Sequence, residues 1–262
     1  FLLKKKTCRQ TNSNSMRLII DKGNTRTKVA VYNKEELLSV VAVGRLDVNF
    51  IAELYSKYDI TATIFSTVSG LETVEVMDYL AEKTQLFIMS EDLYLPIRLN
   101  YFPKYSLGND RIAAIAGAYN IFPQENILVI DAGSCICFDY IDNKGNYKGG
   151  SISLGFQMKS KALNTFTARL PLVEINENKV SVCSLNTFDC IKSGIINGTI
   201  AEIRGMIDMI SKEQDSEFKI IVTGGDADLI SENLNIKTVV EPNLVLQGLN
   251  MILDYNIKKR DA

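Results

Sequence analysis

The chain has 262 residues, 46% of them hydrophobic and 23% charged, with a formal net charge of −2. That length can bury a core as one large domain or two smaller ones, and that charge gives no electrostatic case for nucleic acid or an anionic membrane. No apolar run approaches the ~20 residues a membrane helix needs, and the absence of histidine removes Ser-His-Asp and Cys-His catalysis and His-ligated zinc together. Acid–base work therefore falls to Asp, Glu, Lys, Tyr or Cys. The five cysteines, at 8, 135, 137, 183 and 190, form no C-x-x-C pair. They are expected to be buried, reduced thiols of a cytoplasmic protein.

Residues 1–15, basic with a short apolar start, are expected to be a disordered N-terminal extension, with Met16 as the natural beginning of the fold. Leu18 to Tyr32 then reads as strand, tight polar turn and strand, the first strand ending on Asp21 and the turn containing Gly23 and Asn24. Amides at such a glycine turn approach an anion closely, and Thr25, Thr27 and Lys28 add hydroxyls and a cation. Carboxylate, amides, hydroxyls and lysine together make a nucleoside-triphosphate cradle. An ordinary hairpin favours the same turn residues.

A third strand follows at Leu37 to Val43, a helix over Val48 to Tyr58 and a strand at Thr61 to Phe65. Leu71 to Glu82 has helical spacing, and Leu86 to Met89 reads as a short strand. Three antiparallel strands followed by alternating helices and strands predict a mixed sheet covered by helices. Pro96 to Lys104, with Tyr101, reads as irregular. It leads through Gly108-Asn109-Asp110-Arg111 into the small-residue run Ile112 to Tyr119, a helix suited to close packing. Asp110 at its start, taken alone, reads as a helix cap.

The plan then repeats. Ile127 to Asp131 is a second apolar strand ending in Asp-x-Gly, followed by Ser134 and a strand from Cys135 to Ile141 in which Cys135 and Cys137 share a face. Two such halves, about one small-domain length apart, suggest a cleft that holds phosphates and cations. Strand Tyr147 to Leu154 is flanked by Gly149, Gly150 and Gly155, and a helix spans Gln157 to Ala168. Thr187 to Ile210 reads as a long helix whose Gly194, Gly198 and Gly205 mark close packing, within the chain or with a partner. Phe218 to Val222 is a buried strand, Thr223 to Ala227 a turn into a helix, and Leu244 to Tyr255 an amphipathic helix before a solvated basic tail.

Together these motifs resemble the type III pantothenate kinases of the actin-like, hexokinase-like ATPase superfamily, over nearly everything from Met16 onward. The matching stretches are Asp21-Lys22-Gly23-Asn24-Thr25, Gly108-Asn109-Asp110-Arg111, Asp131 to Asp139, Gly149 to Gly155, and Thr223-Gly224-Gly225-Asp226-Ala227. Ser134 stands where the family has threonine, Cys135 and Cys137 where it has Ala and Thr, and Leu154 where it has proline. None of these departures removes a charged group.

The resemblance implies an α/β fold of two ribonuclease-H-like domains, with mixed sheets flanked by helices and ATP in the interdomain cleft. The expected domains are residues 16–122 and 123–262, the second carrying a homodimer interface. Asp21, Lys22, Gly23 and Asn24, with Thr25, Arg26, Thr27 and Lys28, would hold the ATP phosphates, Mg²⁺ lying close to Asp21. Ser134 would touch ATP, and Asp131 would ligate a monovalent cation, K⁺ or NH₄⁺. Gly108, Asn109, Asp110 and Arg111 would hold pantothenate, with Asp110 as general base and Arg111 able to bind the substrate carboxylate. Tyr101 would contact substrate, and Thr187 would reach it across the dimer interface.

The implied activity is ATP-dependent phosphorylation of pantothenate to 4′-phosphopantothenate, the first step of coenzyme A synthesis. A nucleotide-binding accessory protein without kinase activity is the alternative; Asp21, Asp110, Arg111 and Asp131 favour the enzyme. A phosphatase or an acetate or sugar kinase of the same superfamily is a third reading, and the Gly108 to Arg111 motif argues against it.

Overall fold

A computed structural model of the chain describes residues 16–23, 26–67, 74–90, 92–176 and 179–260. The 1–15 extension, Cys8, Asn24 and Thr25 lie outside the described residues. The chain divides between Ile88 and Met89 into two compact units.

In the first unit, β1 (Met16–Lys22), β2 (Thr27–Asn33) and β3 (Glu36–Val43) form an antiparallel meander. Helix α1 (Val48–Lys57) leads into β4 (Ile60–Thr67), and α2 (Val74–Lys83) into β5 (Gln85–Ile88); β4 runs parallel to β1 and β5 parallel to β4. The strand order is β3-β2-β1-β4-β5, the mixed sheet expected. Leu18 and Ile20 of β1 and Val29 and Val31 of β2 point to one face, as a period of two requires. Ile51 and Leu54 of α1 and Val76 and Leu80 of α2 cover that face. Asp47 caps α1 by accepting the Phe50 amide at 2.9 Å.

The second unit contains β6 (Arg98–Leu99), α3 (Asn109–Ile121), β7 (Ile127–Ala132), β8 (Cys135–Ile141) and β9 (Asn146–Leu154). It continues with α4 (Phe156–Thr165), α5 (Thr187–Gln214), β10 (Lys219–Thr223), α6 (Ala227–Leu234), β11 (Val239–Val240) and α7 (Leu244–Arg260). Its strand order is β11-β10-β7-β8-β9-β6. Leu128, Ile130 and Ala132 of β7 face Ile195, Ile196 and Ile203 of α5 and Ile230 of α6. Helix α3 lies on β7 and β8 and packs along α7. The contact is backbone to backbone: a Cβ on Gly117 would lie 2.5 Å from the Leu244 carbonyl oxygen, and one on Gly248 would collide with the Ala113 carbonyl. The small-residue run of α3 is thus explained by one close helix crossing.

Four expectations are corrected. The division at Ile88/Met89 comes earlier than 122/123, because α3 packs on α7 and on the second sheet. The irregular Pro96–Lys104 stretch contributes β6, a two-residue edge strand anchored by the Arg98 amide on the Gly145 carbonyl at 2.8 Å. The last helix, expected to end at Tyr255, continues as α7 to Arg260 through the basic tail, which is exposed as expected and whose Lys258 pairs with Asp254 one turn back. Cys183 and Cys190 are exposed, and Cys135 and Cys137 are only half-buried.

Candidate active site

The hairpin register places Asp21 directly opposite Lys28 and Lys22 opposite Thr27. The turn between them is closed by the Gly23 amide donating to the Arg26 carbonyl at 3.2 Å. Asp21, Lys22 and Lys28 are half-buried, Gly23 and Arg26 are exposed, and Thr27 is buried. The polar groups of this turn therefore differ in accessibility, and Thr27 is the least accessible of those described.

The second acid-glycine turn is more crowded. Gly133 donates to the Cys135 carbonyl at 2.9 Å, Gly155 to the Ser134 carbonyl at 3.1 Å, and Asp226 to the Ala132 carbonyl at 3.1 Å. Three separate chain segments thus meet at the end of β7. Only glycine permits this approach: a Cβ on Gly155 would collide with the Gly133 carbonyl, and one on Gly224, at φ +93°, with the Ala132 carbonyl. The Asp131 carboxylate lies against the Gly224 turn, Oδ1 being 2.7 Å from where that Cβ would stand. Ser134 is exposed at the tip. Across the ladder Asp131 faces Cys137 on one side and Thr223 on the other. Asp226 precedes α6, and burial pushes its carboxyl above the ordinary range.

Helix α3 begins after Gly108, which caps through its backbone alone. A Cβ there would lie 2.5 Å from Asp110 Oδ1, so glycine lets that carboxylate fold back over the helix start. Asp110 Oδ1 accepts the Arg111 amide at 2.8 Å, and Asn109 Nδ2 donates to the Met89 carbonyl at 3.2 Å. Asp110 thus sits in the first turn, where an acid is favoured by the orphan amides, and not at the N-cap position.

Arg111 is buried and committed to the protein. Its Nη2 donates to Asp139 Oδ1 at 2.7 Å, and its Nε lies 3.2 and 3.1 Å from the two carboxylate oxygens. Nη2 also donates to the Tyr147 hydroxyl at 3.1 Å, and that hydroxyl donates to Asp139 Oδ1 at 2.7 Å. Burial opposes the charge on Arg111, but the Asp139 carboxylate outweighs it and holds the guanidinium protonated above its usual value. Tyr147 is pushed up by burial and by the same carboxylate. Removing either member of such a pair leaves a buried charge uncompensated, at about 3–5 kcal/mol. The bidentate edge of Arg111 is therefore not open to a substrate carboxylate. The Tyr101 ring lies 6.1 Å from that of Tyr147, which joins it to the same group.

The Cys137 thiol stands among these charges. Burial pushes it up to about 12; Arg111 pulls it down, and Asp139, Asp131 and Asp110 push it further up. One position of β8 is thus within electrostatic reach of both Asp110 and Asp131. Thr187 lies elsewhere, as the first residue of α5, whose N-cap is Asn186 with its side chain accepting the Asp189 amide at 3.0 Å. It lines a surface groove of about 670 Å³ with Leu163, Leu170, Leu185 and Cys190. Cβ atoms on Gly194, Gly198 and Gly205 would meet open space, so these glycines do not serve packing within the described chain. Asp139, Tyr147 and Asp226 carry no assigned role in the sequence reading, although Asp139 closes the Asp131 motif and Asp226 lies in the Thr223 to Ala227 motif.

Two helix-flanked mixed sheets, each with a strand-end acid at a glycine turn, define the fold. Solved structures agree: MreB5 of Spiroplasma citri bound to ADP matches 95% of this chain and 98% of its own at TM-score 0.50 and 11% identity. A Baf family transcriptional activator from Campylobacter jejuni matches 92% of this chain and 99% of its own at TM-score 0.61 and 21% identity. The family model for type III pantothenate kinase matches residues 17–209. Type III pantothenate kinases of Christiangramia forsetii and Bacteroides fragilis are 38% and 36% identical, each over 92% of this chain and 99% and 98% of their own length. The chain belongs to the type III pantothenate kinase family.

Proposed function

We propose that this chain phosphorylates pantothenate with ATP, giving 4′-phosphopantothenate at the first step of coenzyme A biosynthesis, with Asp110 as the general base. The observation that carries the assignment is the type III pantothenate kinase family match over residues 17–209, in a chain whose lack of histidine leaves a carboxylate as the base. A primary hydroxyl must lose its proton as it attacks, and Asp110 is the carboxylate at the helix start where Gly108 leaves room for it. In the first turn the charge of Lys28, opposite Asp21, suits phosphate oxygens.

The donor set fits a divalent ion that arrives with its nucleotide. Among the described residues no group of three or more His, Cys, Asp or Glu forms a metal cage. Asp21 stands as a strand-end carboxylate, and phosphate oxygens and water complete the coordination Mg²⁺ prefers. Bound there, Mg²⁺ would neutralise phosphate charge. Asp131 would hold the monovalent cation, its cross-strand neighbour Cys137 being a neutral thiol. Tyr101, Gly108 and Asn109 would line the pantothenate site. The open glycine face of α5 supports a homodimer, through which Thr187 would reach the partner's pantothenate.

The test is Asp110→Asn. It should retain ATP and pantothenate binding in calorimetry while turnover falls by at least ~10²-fold. Near-normal turnover would reduce Asp110 to a residue of the helix start.

A further inference from the structure

We propose that Asp139, with Tyr147, is a positioning residue of this kinase: it clamps the Arg111 guanidinium so that Nη1 is the edge presented to pantothenate beside Asp110. The inference rests on the kinase reading above and deepens it.

A guanidinium has five N–H groups on three nitrogens. Here Nε and Nη2 are spent on Asp139 and the Tyr147 hydroxyl. Nη1 has no hydrogen-bond partner among the described residues, and it is not among the buried polar atoms left unsatisfied. The clamp therefore decides which way the remaining donor edge points, and an arginine with two of its three nitrogens fixed has little rotational freedom left.

The clamp also reaches the base. Asp110 Oδ1 accepts the backbone amide of Arg111, so whatever fixes residue 111 fixes the hydrogen bond that holds the Asp110 carboxylate. On the other side, the Tyr147 ring lies against Tyr101, so one carboxylate orders both an aromatic and a cation at the substrate site. Room for this is made by Gly150. A Cβ there would collide with the Phe138 carbonyl and stand 2.7 Å from Asp139 Oδ1 and 2.8 Å from Arg111 Nη2. Gly150 of β9 thus serves the ion pair. Charge follows the same logic: with Asp139 opposite, Arg111 offers a hydrogen-bond donor whose full positive charge is already compensated within the protein.

A buried pair that only pins α3 to β8 would look similar in a static structure, so the test separates position from stability. Tyr147→Phe, Asp139→Asn and the double variant Asp139→Asn/Arg111→Gln are made in the full chain and compared with wild type. Thermal unfolding, kcat, and KM for pantothenate and for ATP are measured. Tyr147→Phe keeps the ion pair and should stay folded, with pantothenate KM raised about 3–10-fold and ATP KM within about twofold. Asp139→Asn should lower kcat by at least ~10-fold, since a small misplacement at a reacting centre is costly. The double variant should regain thermal stability over Asp139→Asn while turnover stays low.

Wild-type kcat and pantothenate KM in the double variant would overturn the proposal and leave the pair a structural one. If Asp139→Asn fails to fold, Tyr147→Phe decides alone, and an unchanged pantothenate KM overturns it. Failure of the kinase reading is seen separately, as a wild-type chain that does not phosphorylate pantothenate at all.

Discussion

The two acid-glycine turns look alike in sequence and differ in what faces the acid. Asp21 is paired across its hairpin with Lys28, a cation. Asp131, at the corresponding strand end, is paired with Cys137, a thiol that burial keeps protonated. The first turn therefore combines both signs of charge, as phosphate with a counter-ion requires. The second presents negative charge beside a neutral neighbour, as a lone cation requires. Their packing differs as well. The first turn is closed by the Gly23 amide on the Arg26 carbonyl, whereas the second is crossed by the Gly155 and Gly224 segments at backbone distance. The strand that returns from each turn sets what the acid faces, Lys28 in the first and Cys137 in the second.

The largest expected effect tests the difference in packing. Gly155→Ala would place a methyl into the Gly133 carbonyl and 2.5 Å from the Ser134 carbonyl oxygen, where backbone must move. Turnover should fall by on the order of 10²-fold or the chain should fail to fold. Among the described residues Gly23→Ala meets only the Arg26 carbonyl oxygen at 3.3 Å, and it should lose less than about fivefold. Equal losses in the two variants, by steady-state kinetics and thermal unfolding, would break the comparison.

The next tests the difference in charge. Turnover with Mg²⁺-ATP should rise by about tenfold when K⁺ or NH₄⁺ replaces Na⁺, and Asp131→Asn should abolish that response. Asp21→Asn should keep the response while raising the KM for ATP. A wild-type protein with equal rates in all three salts would remove the cation from Asp131.

The smallest effect concerns the neutral neighbour itself. With its thiol at about 12, Cys137 should carry roughly 10⁻⁴ of its population as thiolate at pH 8 and resist alkylation there. Exposed Cys183 and Cys190 should label first. The sign for stability follows from linkage. The unfolded thiol ionises near pH ~8.5, so the contribution of Cys137 is present below that value and is lost as pH rises toward the folded value. Mass spectrometry after alkylation at pH 8 checks the labelling, and rapid modification of Cys137 in the native protein would contradict its environment.

Much of the site was legible because its parts are local. Asp21 with Gly23, Gly108 with Asp110, and Asp131 with Gly133 each lie within a few residues, and strand-turn or turn-helix punctuation announces them. The long helix beginning at Thr187 was read from its spacing, and α5 does begin there. What residues far apart in the chain decide is not legible in this way. That Nε and Nη2 of Arg111 are taken by Asp139 and Tyr147, 28 and 36 positions away, is one such feature. The spacing of the α5 glycines marks close packing within the chain or with a partner, and the described chain places nothing against them, which leaves the partner. Strands β6 and β11 are two residues long, too short for any periodicity, and exist only because a neighbouring strand offers an edge.

The sequence by itself determined the alternation of strands and helices, the two acid-glycine turns, the small-residue helix and the family. Each of these is written in short-range spacing, and short-range spacing is what backbone geometry reads. The tertiary structure alone decided that α3 belongs with the second sheet and that Gly117 must meet Gly248. It alone decided that Asp131 faces a thiol, and that Arg111 is held by Asp139. Those outcomes depend on strand register and helix crossing, where residues far apart in the chain come within a few ångströms because burying apolar faces leaves them no other arrangement.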